Sequence, residues 1–205
     1  MNTQVLPAGA RNALSLALET LRAGGLVAFP TDTVYGLGAL AFNDKAVESI
    51  YISKGRSGEK AIPILLADVD ALPKVAIDIP VMARRLAERF WPGPLTLVVP
   101  KHPGLPDAVS ATATVGVRVP DHPVARTLLK SCGPLAVSSA NVSGQPAPRT
   151  AEDAFRQLAG RVSLILDGGQ TPGGTASTVL DCTQSEPVVL RAGPLTIEEL
   201  RAALK

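Results

Sequence analysis

"LVAFPTDTVYGLGA", residues 26–39, opens as an apolar run and changes within five residues to hydroxyls, one carboxylate, a tyrosine and two closely spaced glycines. The apolar part reads as a buried strand. Just before it, Gly24-Gly25 closes a helical pattern over residues 10–23, in which Leu14, Leu18 and Leu21 recur at helical intervals. A helix leading into a buried strand, and the strand into a polar strand-to-loop turn, begins a domain that mixes both element types.

The rest of the chain extends that pattern. From Asn43, a good N-cap, "DKAVESIYISK" predicts a second helix that ends at Gly55, with Val47, Ile50 and Tyr51 on one side. Strand-like runs follow in "AIPILLA" (61–67), "LTLVVP" (95–100), "VGVRVP" (115–120), "PLAVSS" (134–139), "VSLILDGG" (162–169), "STVLDC" (177–182) and "PVVLR" (187–191). Helices are predicted within 80–90, near 122–131 and 150–159, and over 197–205, where Thr196 and Glu199 form a capping-box pattern. Strands outnumber helices and alternate with them irregularly, which predicts an α/β (α+β) fold with a mixed sheet rather than a regular βαβ repeat. No internal repeat or long polar tract divides the chain, so residues 1–205 are expected to form a single domain. "WPGP", "KHPGLPD", "SGQPAPRT" and "GGQTPGGT" are expected as surface loops, the last two as candidate lids over a site.

Composition narrows the function. With 205 residues, 46% of them hydrophobic, the chain can bury a core without a disulfide or metal. No apolar run approaches the roughly 20 residues that span a bilayer, and the first residues lack a basic segment ahead of a continuous apolar stretch. A cytoplasmic protein with no membrane contact is therefore expected. Cys132 and Cys182 lack CxxC spacing and read as free thiols, while His102 and His122 show no metal-ligand pattern. A net charge of +2 supplies no global field, so any anion site must be local.

Common nucleotide and nucleophile signatures fail. "GLGALA", residues 36–41, matches G-x-G-x-x-A, but it stands five residues beyond Pro30 and no helix opens at its glycines. Neither a P-loop nor G-x-S-x-G is present. Three groups of residues remain. "SKGRSGEK" places Lys54, Arg56 and Lys60 within seven residues, either as a solvated basic turn or as a cradle for phosphates. "AVSSANVSG" (136–144) ends a strand with Ser138, Ser139 and Asn141, groups that suit a base, a ribose or an amino acid and also suit an ordinary turn. Arg118 interrupts an apolar strand, so it either points to solvent or binds a carboxylate inside a cavity, and Arg191 poses the same question.

Taken together, "PTDTVYGLG", the K-x-R of Lys54 and Arg56 followed by Lys60, and the S-x-N of Ser139 and Asn141 resemble the YrdC-like family of threonylcarbamoyl-AMP synthases. "WPGPLTLV", "VGVRVP", "STVLD" and "RAG" extend the resemblance from about Gly24 to Gly193. It implies a twisted mixed parallel and antiparallel sheet flanked by helices, with a large concave basic cavity. The implied enzyme is a nucleotidyltransferase that converts L-threonine, bicarbonate and ATP, with Mg2+ on the phosphates, into threonylcarbamoyl-adenylate and pyrophosphate. A downstream tRNA threonylcarbamoyl transferase complex then modifies N6 of adenosine 37 in tRNA.

On that resemblance Lys54 and Arg56 are the catalytic pair. Lys54, Arg56, Lys60, Thr114, Ser139, Ala140, Asn141 and Arg191 hold ATP, while Thr33, Arg118, Ser138 and Ser177 hold threonine. No protein metal site is implied. Ser57 replaces a proline of many relatives, and the segment around Leu65 lacks a histidine that longer members place near threonine. The length resembles the short, single-domain form. Two further readings are a module that binds tRNA or double-stranded RNA through the basic cavity, and a carbamoyl-adenylate enzyme with another acceptor. For the opening loop, Thr31, Asp32, Thr33 and Tyr35 are expected as polar contacts to a small substrate, with the glycines admitting its close approach to the backbone.

Overall fold

The structure is a computed structural model that describes residues 2–57 and 61–205. Ten strands form one mixed sheet: β1 (Gln4–Pro7), β2 (Val27–Pro30), β3 (Tyr35–Leu40), β4 (Ile64–Leu65), β5 (Leu95–Pro100), β6 (Thr114–Arg118), β7 (Leu135–Ser139), β8 (Leu164–Asp167), β9 (Thr178–Asp181) and β10 (Val188–Arg191). Their order across the sheet is β1-β8-β2-β3-β7-β4-β6-β5-β9-β10. The helices are α1 (Ala13–Arg22), α2 (Asp44–Lys54), α3 (Val81–Phe90), α4 (Pro123–Cys132), α5 (Ala151–Leu158) and α6 (Ile197–Ala202). The expected α/β class and mixed sheet are what the chain forms. Among the described residues, no helix is long and apolar enough to cross a membrane.

The opening stretch departs from its reading as a strand followed by an open loop. Only residues 31–34 are loop, and "YGLGAL" is β3, antiparallel to β2 with Pro30 opposite Tyr35 and Val27 opposite Gly38. Glycine is needed there for close approach to a neighbouring strand, because a Cβ on Gly36 would lie 2.6 Å from Val137 Cγ1. Sequence reading also misses β1, which pairs in parallel with β8 at one edge of the sheet, and the 3-10 turn over Val69–Lys74. Of "AIPILLA", only two residues pair as strand.

Strand alternation assigns residues to two cores. Ala28, Ala136 and Ile165 face a layer containing Ala46, Val47 and Ile50 of α2, Leu86 of α3 and Ala154 of α5. Their neighbours Val27, Phe29, Leu135, Val137, Leu164 and Leu166 point the opposite way, onto Ala13, Ala17 and Leu21 of α1 and Leu128 and Leu129 of α4. On this second face, α1 and α4 pack over the β8-β2-β3-β7 half of the sheet. The same alternation continues into β5 and β6, where Leu95, Leu97, Val99, Val115 and Val117 enter the first core. Thr96, Val98, Gly116 and Arg118 consequently face outward beyond the helices, and they floor a cavity.

Candidate functional site

The cavity has a volume of about 370 Å³. Its walls come from the 31–34 loop, the ends of β6 and β7, Arg56 beyond α2, Ala147, Ala176, Ser177 and the β10 residues Leu190 and Arg191. Of the two Gly/Pro-rich segments expected as lids, the first contributes Ala147 to that wall, and the second braces the 31–34 loop from behind. Pro148 accepts the N–H of Tyr35 at 2.9 Å, while Gly173 and Gly174 donate to the carbonyls of Asp32 at 3.1 Å and Thr33 at 2.6 Å.

Arg118 resolves toward the interior. It is 5% exposed and donates from Nε to Gly93 O at 2.9 Å, from one terminal nitrogen to Thr33 Oγ1 at 3.0 Å, and from the other to Asp32 Oδ1 at 2.5 Å. Burial lowers its pKa, the Asp32 carboxylate opposes that shift, and nearby Arg191 adds to it. A guanidinium carries five N–H groups, so among the described residues each terminal nitrogen keeps one N–H for a carboxylate entering the cavity. Asp32 also accepts the N–H of Asp121 at 3.0 Å. It is therefore committed to holding Arg118 and its strand end, and the expectation that Asp32 contacts a substrate is corrected.

Tyr35 is corrected likewise. It is fully buried and donates to Gly169 O at 2.7 Å, and burial raises its pKa to about 12. The Thr31 hydroxyl serves the turn, donating to Val34 O at 2.6 Å and lying 3.0 Å from Thr33 Oγ1. Because Thr31 gives its only proton to Val34, Thr33 must donate between the two hydroxyls. Thr33 therefore offers the cavity an acceptor.

The other hydroxyls are fixed by cations. Ser138 Oγ accepts from Arg56 at 3.0 Å. Arg191 donates to Ser177 O at 2.8 and 3.1 Å and to Ser177 Oγ at 3.1 Å, and Ser177 Oγ lies 2.7 Å from Thr96 Oγ1. Sequence reading missed Thr96, although a lone hydroxyl at an outward position of an apolar strand is a usable signal. Burial lowers the pKa of Arg56 and of Arg191, and the charge of Arg56 contributes to the shift of Arg191. Three guanidiniums thus share one cavity, and one of them, Arg118, is paired with Asp32.

Of the residues singled out from sequence, Thr33, Arg56, Arg118, Ser138, Ser139, Ser177 and Arg191 line the cavity. Lys54, Thr114, Ala140 and Asn141 do not. Thr114 starts β6, with its hydroxyl 3.1 Å from Thr112 Oγ1. Ala140 is fully buried and donates its N–H to Tyr35 O at 2.9 Å. The Asn141 side-chain amide is held inside its own turn by the carbonyls of Val142 and Gln145, each at 2.8 Å. Lys54 is buried against carbonyl oxygens, and burial followed by the charge of Arg56 lowers its pKa to about 8. Lys60 lies outside the described residues. The described residues contain no group of three or more His, Cys, Asp or Glu able to hold a metal ion.

A mixed sheet that leaves part of one face open to three arginines and several oriented hydroxyls defines an α/β protein with a cationic cavity. The chain belongs to the Sua5/YciO/YrdC family, whose model, described as "Telomere recombination", matches residues 19–193. It is 43% identical over 194 residues to threonylcarbamoyl-AMP synthase of Bacillus subtilis (strain 168) and 44% identical over 193 residues to that of Pyrococcus abyssi (strain GE5 / Orsay). Each match covers 93% of this chain, but only 56% and 57% of the respective relative. The chain thus spans little more than half the length of these relatives. The crystal structure of P. abyssi Sua5 complexed with L-threonine superposes with a TM-score of 0.94 at 40% identity, covering 100% of this chain and 61% of that one.

Proposed function

We propose that this chain is a threonylcarbamoyl-AMP synthase, a nucleotidyltransferase that joins L-threonine, bicarbonate and ATP into threonylcarbamoyl-adenylate and pyrophosphate. The observation that carries this reading is the convergence of Arg56, Arg118 and Arg191 with the hydroxyls of Thr33, Ser138 and Ser177 on one cavity. In this reading Arg118 and Thr33 take the amino acid, and Arg56 and Arg191 take the polyphosphate. The relatives' names and the threonine bound by P. abyssi Sua5 favour the same assignment.

In this reading the threonine carboxylate lies on the two remaining N–H groups of Arg118, and the Thr33 hydroxyl oxygen accepts a hydrogen bond from the amino or carbamate nitrogen. Arg56 and Arg191, with Lys60, hold the triphosphate, and Mg2+ arrives on its oxygens as part of the ATP substrate. The threonine amine first bonds to the bicarbonate carbon and a C–O bond breaks with loss of water, giving the carbamate. A carbamate oxygen then attacks the α-phosphorus, forming a new P–O bond as the bridging bond to the β-phosphate breaks, and pyrophosphate leaves with that electron pair. Guanidiniums aimed at the departing phosphates stabilise the growing charge, and orientation of the two substrates supplies the rest of the acceleration. In this reading the product passes to a tRNA threonylcarbamoyl transferase, and the reaction runs in the cytoplasm.

The test is pyrophosphate release by purified protein given ATP, Mg2+, bicarbonate and threonine. Release should require both threonine and bicarbonate, and should fall at least about tenfold in Arg56→Ala, as removal of a charge-stabilising donor does. Release that ignores omission of threonine and bicarbonate sinks the proposal. Turnover with carbamoyl phosphate in their place points to another acceptor.

A further inference from the structure

The K-x-R and S-x-N motifs meet with their two cations facing different ways. Lys54 is the last residue of α2 and only 2% exposed. Its ammonium donates to Ser139 O and to Asn141 O, the latter at 2.6 Å, and lies 3.5 Å from Asn141 Oδ1. An ammonium has three protons; two go to these carbonyl oxygens, and Asn141 Oδ1 stands near the third. The Lys54 carbonyl in turn accepts the N–H of Ser143 at 2.8 Å. One residue therefore grips the 139–143 turn at both ends.

The other contacts of the turn are consistent with a fixed shape. Val142 donates its N–H to Gln157 Oε1 at 3.0 Å, and Asn141, gripped by Lys54, uses its own amide nitrogen on Val142 and Gln145. After Lys54, Gly55 adopts a left-handed φ of 58° and redirects the chain. Arg56 then enters the cavity wall and reaches Ser138, while Lys54 stays behind that wall.

We propose that Lys54 is a positioning residue: it holds the Ser138–Asn141 turn in the shape that presents Ser138 to the cavity, and it does not bind phosphate. The inference rests on the synthase reading for its effect on turnover and on the hydrogen-bond geometry alone for its effect on the turn. A direct phosphate ligand and a turn clasp leave different traces when removed. Loss of the former weakens anion binding, whereas loss of the latter loosens the turn and disables catalysis with binding largely kept.

The experiment titrates magnesium pyrophosphate into the unmodified chain, Lys54→Met and Arg56→Gln, and measures backbone amide exchange over 139–143 in each. Lys54→Met should bind pyrophosphate within about threefold of the unmodified chain while losing at least about tenfold in kcat, the signature of lost orientation rather than lost binding. Its 139–143 amides should exchange at least about tenfold faster. Arg56→Gln should show the reverse pattern, weaker binding with unchanged exchange. Unchanged exchange in Lys54→Met overturns the proposal.

A structure of the unmodified chain with magnesium pyrophosphate needs no variant to fold. Lys54 Nζ remaining on the Ser139 and Asn141 carbonyls supports the proposal, and Nζ within about 3.2 Å of a phosphate oxygen overturns it. If the unmodified chain fails to bind pyrophosphate at all, the synthase reading suffers, and amide exchange still decides the role of Lys54.

Discussion

Arg118 shows how one residue type resolves once its neighbours are known. A guanidinium in an apolar strand is tolerated here because Asp32 neutralises it, while Gly93 and Thr33 accept two more of its protons. Both side chains of the ion pair are nearly buried, at 7% and 11% exposure. Removing one charge from such a pair leaves the other desolvated and unpaired. Asp32→Asn keeps the shape and an acceptor oxygen but lacks the charge, so it should lose on the order of 3 kcal/mol of stability, measured by urea unfolding. If the proposed function holds, it should raise KM for threonine more than KM for ATP, because Asp32 holds Arg118, the residue proposed to take the threonine carboxylate. Equal effects on both substrates would remove Asp32 from that role.

Among the elements, the loops are as closely specified as the strands. Arg191 and Gly193 of "RAG" act on the same peptide from two directions. Arg191 holds the carbonyl and hydroxyl of Ser177, and a Cβ on Gly193 would stand 2.3 Å from Thr178 N and 2.6 Å from Ser177 C. Backbone cannot yield as a flexible side-chain tip can, so Gly193→Ala should cost about 1–3 kcal/mol, the range typical of overpacking. For a chain of this size each kcal/mol lowers Tm by roughly 2–4 °C, which calorimetry would read directly. An unchanged Tm would mean that the "RAG" turn lifts freely from Ser177. Much at this scale was legible in advance. The Asn43 cap of α2, the left-handed Gly55 after it and the capping box at Thr196 and Glu199 all form as their residue types predict. β3 was not legible, because two glycines in six residues lower strand propensity, and only the proximity of Val137 and Phe29 explains them.

Across the whole molecule, a chain with a formal charge of only +2 places three guanidiniums around one cavity, and among the described residues one of the three, Arg118, is paired with the Asp32 carboxylate. Nucleotide affinity should therefore fall as salt rises from 0.05 to about 0.5 M, where the screening length shrinks to roughly 4 Å. Threonine, the proposed second substrate, carries no net charge and should be affected much less. Isothermal titration of each ligand at both salt concentrations checks this, and equal salt dependence would deny the cavity a local field. The same measurement with tRNA tests the RNA-binding alternative, which requires steep salt dependence without ATP.

Through the family resemblance the sequence named most of the polar residues that converge on the cavity, and by itself it determined the mixture of helices and strands and the helix boundaries set by caps and glycines. The mixture and the boundaries are local properties, fixed by propensity, periodicity and residue chemistry within a few positions. Only the tertiary structure decided that α1 and α4 cover part of one sheet face and leave the cavity beyond them, that Asp32 serves Arg118, and that Lys54 turns away from Arg56. Those outcomes depend on partners far apart in the chain, such as Lys54 with Ser139 and Asp32 with Arg118. A side chain's role was settled by which acceptors the fold brought to it, and residue type alone does not encode that.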